Sequence, residues 1–165
     1  HAKKDYLKDE LWQDNFRHLD NRKLSFDIQI YPHQFDDACK LAKRYPNVQF
    51  ILNHTGEPCF QTEEYKKYWM RKMQSLAEHE NFVCKISGLG MFNPSWTIIS
   101  TEYFILNTIE IFGIDRCMFG SNFPVDKIFN TFDNYWSSYF NIVDNFSQNE
   151  HDKIFLKNAE KFYRI

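Results

Sequence analysis

The sequence is 165 residues long, enough for one domain with a buried core, and it is 43% hydrophobic, 25% charged and 18% aromatic, with 17 Phe. A net charge of -2 gives no basic footprint, so nucleic acid is not an expected partner, and no apolar run approaches the roughly 20 residues that span a bilayer. The opening His1-Ala2-Lys3-Lys4-Asp5 has neither a Met nor the apolar stretch of a signal peptide, and it reads as the interior of a longer chain.

The first expected strand is Leu24–Ile30, halted by Pro32. Its helix, Gln34–Tyr45, carries Phe35, Ala38, Leu41, Ala42 and Tyr45 at helical spacing. Pro46-Asn47 punctuates before a second strand, Val48–Leu52, which runs into Asn53-His54-Thr55-Gly56-Glu57-Pro58. Thr62 is a fitting N-cap for the next helix, with Glu63 and Glu64 at the positive end of its dipole and an apolar stripe through Tyr65, Trp69, Met73 and Leu76. A third strand, Phe82–Ser87, ends at Gly88 and Gly90, and a helix from about Trp96 to Phe112 closes at Gly113. The fourth strand, Cys117–Asn122, breaks at Pro124. A helix around Tyr135–Asn145 follows, then a last one opened by the capping box Ser147-x-x-Glu150.

Strands alternating with helices imply βαβ units and a parallel sheet in a single domain spanning 1–165. Four such units fit either half of a closed barrel or a small open sheet. Polar residues gather at the C-terminal ends of the strands, where both architectures place their sites. There is no Gly-x-Gly-x-x-Gly or Walker loop. Cys39, Cys59, Cys84 and Cys117 are spread without a Cys-x-x-Cys pair, and a reduced, cytoplasmic protein is expected.

Among candidate site residues, His54 comes first: it ends an apolar strand and precedes a Gly-Pro loop. A neutral imidazole there can ligate a metal or polarise a carbonyl, or it can be a core histidine held by the backbone. Lys85, inside an apolar strand, either holds a substrate carboxylate or forms an ion pair with Asp27 or Glu57. Asn122 can hydrogen-bond a substrate or cap the loop that follows it. Gln29 and Tyr31 share strand parity with Asp27 and can face inward. Asp126 and Glu57, in loops after strands, read as acid–base groups or as surface charges. Asp115-Arg116 lies before its strand, a structural position.

Four stretches in this order resemble the amidohydrolase-2 (amidohydrolase-related) branch of the metal-dependent amidohydrolase superfamily. They are Phe26-Asp27-Ile28-Gln29-Ile30-Tyr31-Pro32-His33-Gln34; Phe50-Ile51-Leu52-Asn53-His54-Thr55-Gly56-Glu57-Pro58; Val83-Cys84-Lys85-Ile86-Ser87-Gly88-Leu89; and Phe112–Val125, with Asn158-Ala159-x-x-x-Phe162-Tyr163 matching the branch's usual ending. The resemblance implies an α/β fold, the C-terminal half of a (β/α)₈ TIM barrel containing strands five to eight and incomplete by itself. It makes His54 the histidine after strand six, a metal ligand or carbonyl-polarising group, and lets Lys85 and Gln29 line the substrate site. Asn122 stands where much of the family has an aspartate that binds metal and acts as general base. An amide cannot take a proton at neutral pH, so the base must come from elsewhere, with Asp126 as the candidate.

The function so implied is hydrolysis of a small carboxylated lactone or related carbonyl compound. Water would attack a carbonyl polarised by His54, with or without one divalent metal such as zinc, and Lys85 would hold the anionic group. Alternatives are a metal-dependent decarboxylase of the same superfamily, or a non-catalytic half barrel that binds or assembles. These residues alone are expected to be inactive, and to pair as a homodimer or with the missing N-terminal half, because a half barrel exposes two strand edges.

Overall fold

Short apolar runs bounded by proline and glycine become four strands, and the stripes at helical spacing between them become helices that cover one sheet face. The computed structural model describes residues 5–165; the His1–Lys4 stretch, read above as interior to a longer chain, lies outside them. Two short helices come first, α1 (Glu10–Asp14) and α2 (Phe16–Asp20). Then follow β1 (Ser25–Ile28), α3 (Phe35–Arg44), β2 (Gln49–Leu52), α4 (Glu63–Ala77), β3 (Phe82–Ile86), α5 (Leu89–Phe92), α6 (Ile98–Phe112) and β4 (Cys117–Phe119). The chain ends with α7 (Phe132–Ile142), α8 (Gln148–Asp152), a π-helical turn over Lys153–Lys157 and α9 (Asn158–Tyr163).

The strands form one sheet in the order β1-β2-β3-β4, every pair parallel. Among the described residues β1 and β4 are each paired on one side only. No helix of the described residues is long and apolar enough to cross a membrane. All four cysteines are free thiols, Cys84 and Cys117 buried in strands.

Strand alternation sorts the side chains. Ile28, Phe50, Leu52, Phe82, Cys84, Ile86, Cys117 and Phe119 join the main core with the helices. Phe50 stacks between Phe16 and Phe82, with ring centroids 5.8 and 5.1 Å away. Trp69 and Phe104, edge to face at 5.0 Å, lock α4 to α6. Each such fully buried side chain contributes about 1.5–3 kcal/mol. On the opposite face Ile51, Val83 and Met118 make a second, smaller cluster roofed by Phe162 of α9. Beyond it on that face come Asp27 and Lys85, so the polar residues begin where the apolar roof stops.

Two polar clamps keep α9 and the start of β4 in place. The buried Asn158 amide donates to the carbonyls of Ile114 and Cys117, 2.7 Å each. Arg116 donates to the carbonyls of Phe112 and Ala77, both at 2.9 Å, in the structural use expected before a strand.

The expected elements are all present, but with different ends. The first strand stops at Ile28, where its ladder with β2 ends at Ile28↔Leu52; beyond it Gln29 is exposed and Ile30 returns to the core. The fourth stops at Phe119, since the chain bends away and Asn122 adopts φ 55°. The helix read from Trp96 begins at Ile98, where Thr97 and Ser100 form a capping box. The one read as Tyr135–Asn145 starts earlier, after the N-cap Thr131. The helices α1 and α2 were not anticipated; the signal was Asp9, whose carboxylate accepts from Trp12 N at 2.7 Å as an N-cap.

Candidate active site

The chain leaving β2 turns sharply at the top of the sheet. His54, Thr55, Gly56 and Glu57 all have positive φ, between 54° and 65°. For non-glycine residues each such conformation costs about 1–2 kcal/mol, and a β-branched Thr is an outlier there. The turn persists because its surroundings over-determine it. Gly56 N and Glu57 N donate to Asn53 O and His54 O at 3.1 and 2.9 Å, and the buried indole of Trp69 donates to Thr55 O at 3.0 Å. Strain held this firmly by packing is characteristic of working sites.

The turn aims the His54 ring at the end of β3. His54 is 8% exposed, and its Nδ1 lies 3.0 Å from the hydroxyl of buried Ser87. Nε2 makes no hydrogen bond among the described residues. Gly88 packs against the ring so closely that a Cβ there would fall 2.5 Å from Nδ1, and its φ of +68° also favours glycine. Burial, with Lys85 nearby, lowers the imidazole pKa to about 4 against the weaker opposing pull of Asp27. At neutral pH the ring is therefore uncharged. With Nδ1 accepting from Ser87, Nε2–H is a donor; with Nδ1 donating, Nε2 is a lone pair for a cation.

Lys85 has a partner. Its ammonium lies 2.7 Å from Asp27 Oδ2, the ion pair held open above, and donates to Tyr163 Oη at 2.8 Å. Tyr163 in turn donates to the Asp27 carboxylate at 3.0 Å. Burial opposes the Lys85 charge, but Asp27 and Tyr163 outweigh it and hold the pKa above its ordinary value. Tyr163, noted only as part of the chain ending, thereby brings the C-terminus into the polar face. Gly120 closes the gap between these groups: a Cβ there would lie 3.4 Å from the Lys85 side chain and 3.5 Å from Ser87 Cβ.

Asn122 and Asp126 belong together. The Asn122 amide donates to Asp126 Oδ1 at 2.9 Å, across the loop that contains the cis Phe123-Pro124 bond. Asp126 is fully buried, its pKa raised by burial despite bonds from Asn122, Tyr135 and the Gly90 backbone, and its Oδ2 lacks a partner. A carboxylate with no exposed surface cannot meet a water directly. What it does is orient Asn122: with the NH₂ spent on Asp126, the amide oxygen is left to accept from elsewhere.

Glu57, read as an acid–base group or surface charge, is 1% exposed, so the surface reading fails. Burial raises the pKa of its carboxylate against the opposing influence of nearby Gln29 and Tyr31, and Oε2 is buried without a partner. These three residues line a cleft of about 890 Å³ along the free edge of β1, with Trp12, His33 and Asp27. His54 does not line this cleft; Asp27 is the shared wall between it and the Lys85 network. Of the other histidines, His151 bonds the Val143 carbonyl at 2.9 Å, a structural use.

Among the described residues no group of three or more His, Cys, Asp or Glu is placed to hold a metal ion. Zinc needs three or four protein donors, and His54 supplies one. The donor set of the described residues by itself does not fit a metal site.

The model of a family described as amidohydrolase, Amidohydro_2, matches residues 1–165. The Sinorhizobium fredii protein y4mH is 42% identical over 154 residues, covering 93% of this chain and 52% of that protein. The L-fucono-1,5-lactonase of Burkholderia ambifaria is 27% identical over 169 residues, covering 99% of this chain and 58% of that enzyme. The chain thus spans little more than half the length of the curated relatives it matches. A solved amidohydrolase of Burkholderia multivorans with bound zinc has the same fold over 97% of this chain and 59% of that one, with TM-score 0.90 and 21% identity.

Proposed function

The chain belongs to the amidohydrolase family, and on that premise we propose that it is the C-terminal half, strands five to eight, of a (β/α)₈ barrel that hydrolyses a small lactone. Two observations support the half-barrel part: the unpaired edges of β1 and β4, and the coverage of only 52% and 58% of two relatives. The likeness to a lactonase supports the reaction class. The observation that carries the site is His54, an uncharged imidazole at a strand C-terminus, fixed through Nδ1 by Ser87.

In this reading the His54 Nε2–H donates to the lactone carbonyl and stabilises the oxyanion that forms as water adds. The oxygen of Asn122, turned outward by Asp126, accepts a hydrogen of that water and holds it in place. Water adds to the carbonyl carbon, the ring C–O bond breaks, and the departing oxygen takes up the proton the water gives up. One lactone and one water give one hydroxy acid. Asp126 acts as a positioning residue for Asn122 in place of the direct base expected from the sequence. The Lys85 ammonium is spent largely on Asp27 and Tyr163, so its role is to fix the polar face, and a substrate carboxylate is not its first partner. If the complete site holds a divalent metal, His54 would offer one ligand and the others must come from outside these residues.

The test is the product formed by the natural polypeptide that carries this sequence, in ¹⁸O-labelled water. Hydrolysis puts one ¹⁸O into the carboxylate of the hydroxy acid and releases no carbon dioxide. Carbon dioxide release without labelled hydroxy acid would make the protein a decarboxylase instead.

A further inference from the structure

We propose that Tyr163 is a positioning residue for this site: its hydroxyl closes a triangle with Lys85 and Asp27, and so holds the ion pair with its ammonium end toward His54. The kinetic consequence rests on the lactonase reading above; the triangle does not.

Lys85 Nζ lies 2.7 Å from Asp27 Oδ2 and donates to Tyr163 Oη at 2.8 Å. The phenol hydrogen goes to the Asp27 carboxylate, with Oη 3.0 Å from Oδ2 and 3.2 Å from Oδ1. Tyr163 thereby accepts from one partner and donates to the other, which uses both of its hydrogen-bonding roles. An ion pair alone, with Lys85 half-buried and Asp27 exposed, has little to fix its direction. The third contact removes that freedom. It is not needed to seat α9, which is secured on both sides of Tyr163. Phe162 roofs Ile51, Val83 and Met118, and its carbonyl accepts from Ser25 Oγ at 3.0 Å. Arg164 donates to the Lys23 carbonyl, and the Asn158 amide holds the start of the helix.

The strand register gives the pair its direction. Ile51 of β2 pairs with Asp27 on one side and with Val83 on the other. Lys85 stands two residues beyond Val83, and so starts about 6–7 Å nearer the top of the sheet than Asp27 does. Ser87, the next residue of β3 on the same face, lies 3.0 Å from His54 Nδ1 through its hydroxyl. The positive end of the pair is therefore the end next to the His54 contact. The imidazole registers this order, since the pull of Lys85 on it outweighs the opposing pull of Asp27. A positive end held in place beside the carbonyl's donor favours the negative oxygen that forms as water adds, with no reorganisation during the step.

The experiment compares the natural polypeptide that carries this sequence with its Tyr163→Phe variant, which keeps the ring and loses only the hydroxyl. Lactone turnover should show kcat lowered about tenfold, less than for loss of a direct donor, with KM changed by less than about twofold. In a Lys85→Met background the same substitution should change kcat by less than about twofold, because the pair it orients is gone. A merely structural role would act alike in both backgrounds. Equal losses in the two, or wild-type kcat in a folded Tyr163→Phe protein, overturn the proposal. A second readout needs no substrate: acetic anhydride labelling of Lys85, measured by mass spectrometry against exposed Lys43. Tyr163→Phe should raise the relative rate at Lys85 about tenfold, the worth of one hydrogen bond to a charged group. An unchanged rate overturns the proposal. If wild type hydrolyses no lactone, the lactonase reading fails, and the labelling still decides whether Tyr163 holds Lys85.

Discussion

Replacing Gly88 with alanine probes a close contact that holds His54 in register. The new methyl would lie 2.5 Å from His54 Nδ1 and 2.7 Å from Cγ, distances no side chain tolerates, so the ring must swing away from Ser87. Alanine at φ +68° costs about 1–2 kcal/mol by itself. Losing the buried Ser87 bond and leaving its groups unmet adds about 1–3 kcal/mol. The sum is a destabilisation of about 2–5 kcal/mol, read from urea unfolding at pH 7 as a lower midpoint. The two contributions separate in a double-mutant cycle. With His54→Ala in place the ring contacts are gone and only the 3.1 Å approach to Cβ remains, so Gly88→Ala should then cost little beyond the backbone strain of about 1–2 kcal/mol. Equal costs in the two backgrounds would refute the argument that Gly88 is there for the His54 ring.

Two further outcomes follow from buried polar groups. Since burial holds the folded His54 pKa at about 4, below its ordinary 6.5, the folded state binds fewer protons between these values. Stability from this group is full above about pH 6.5 and is lost as pH falls toward about 4, in total about 3 kcal/mol at 1.36 kcal/mol per unit. Glu57 and Asp126, raised by burial, act in the opposite sense, so the measured quantity is the difference in acid unfolding between wild type and His54→Gln, which should shrink as pH is lowered. Asn158→Ala leaves the Ile114 and Cys117 carbonyls without their donor and should cost about 2–4 kcal/mol in chemical denaturation; a loss under 0.5 kcal/mol would mean water replaces the amide.

The parts of this fold that were legible in the sequence are those governed by short-range patterns. Strands flanked by Pro32, Gly88 and Pro124, the stripe of Trp69, Met73 and Leu76, and the caps Thr62 and Ser147 all follow from neighbours within one or two turns. His54, at the end of a strand of four apolar residues, also stood out, because the top of a parallel sheet is where a polar residue is worth its burial. What was hidden depends on residues far apart in the chain. Asp27 was one of two candidate partners for Lys85, but Tyr163 reaches both from 136 positions beyond Asp27. Glu57 resembled a loop charge until Gln29 and Tyr31 were folded over it. Asp126 looked like an available base because sequence carries no sign of the covering that leaves it fully buried.

The central claim is that an uncharged His54 polarises the carbonyl, and the most direct test is steady-state lactone turnover by the natural polypeptide and its His54→Leu variant, with folding checked by circular dichroism. Removing one such donor from a site of this kind costs on the order of 10²–10³ in kcat. The account predicts a loss of that size in kcat with a folded variant. A folded His54→Leu protein that keeps wild-type kcat would contradict it, and the chemistry would then have to be carried by other groups.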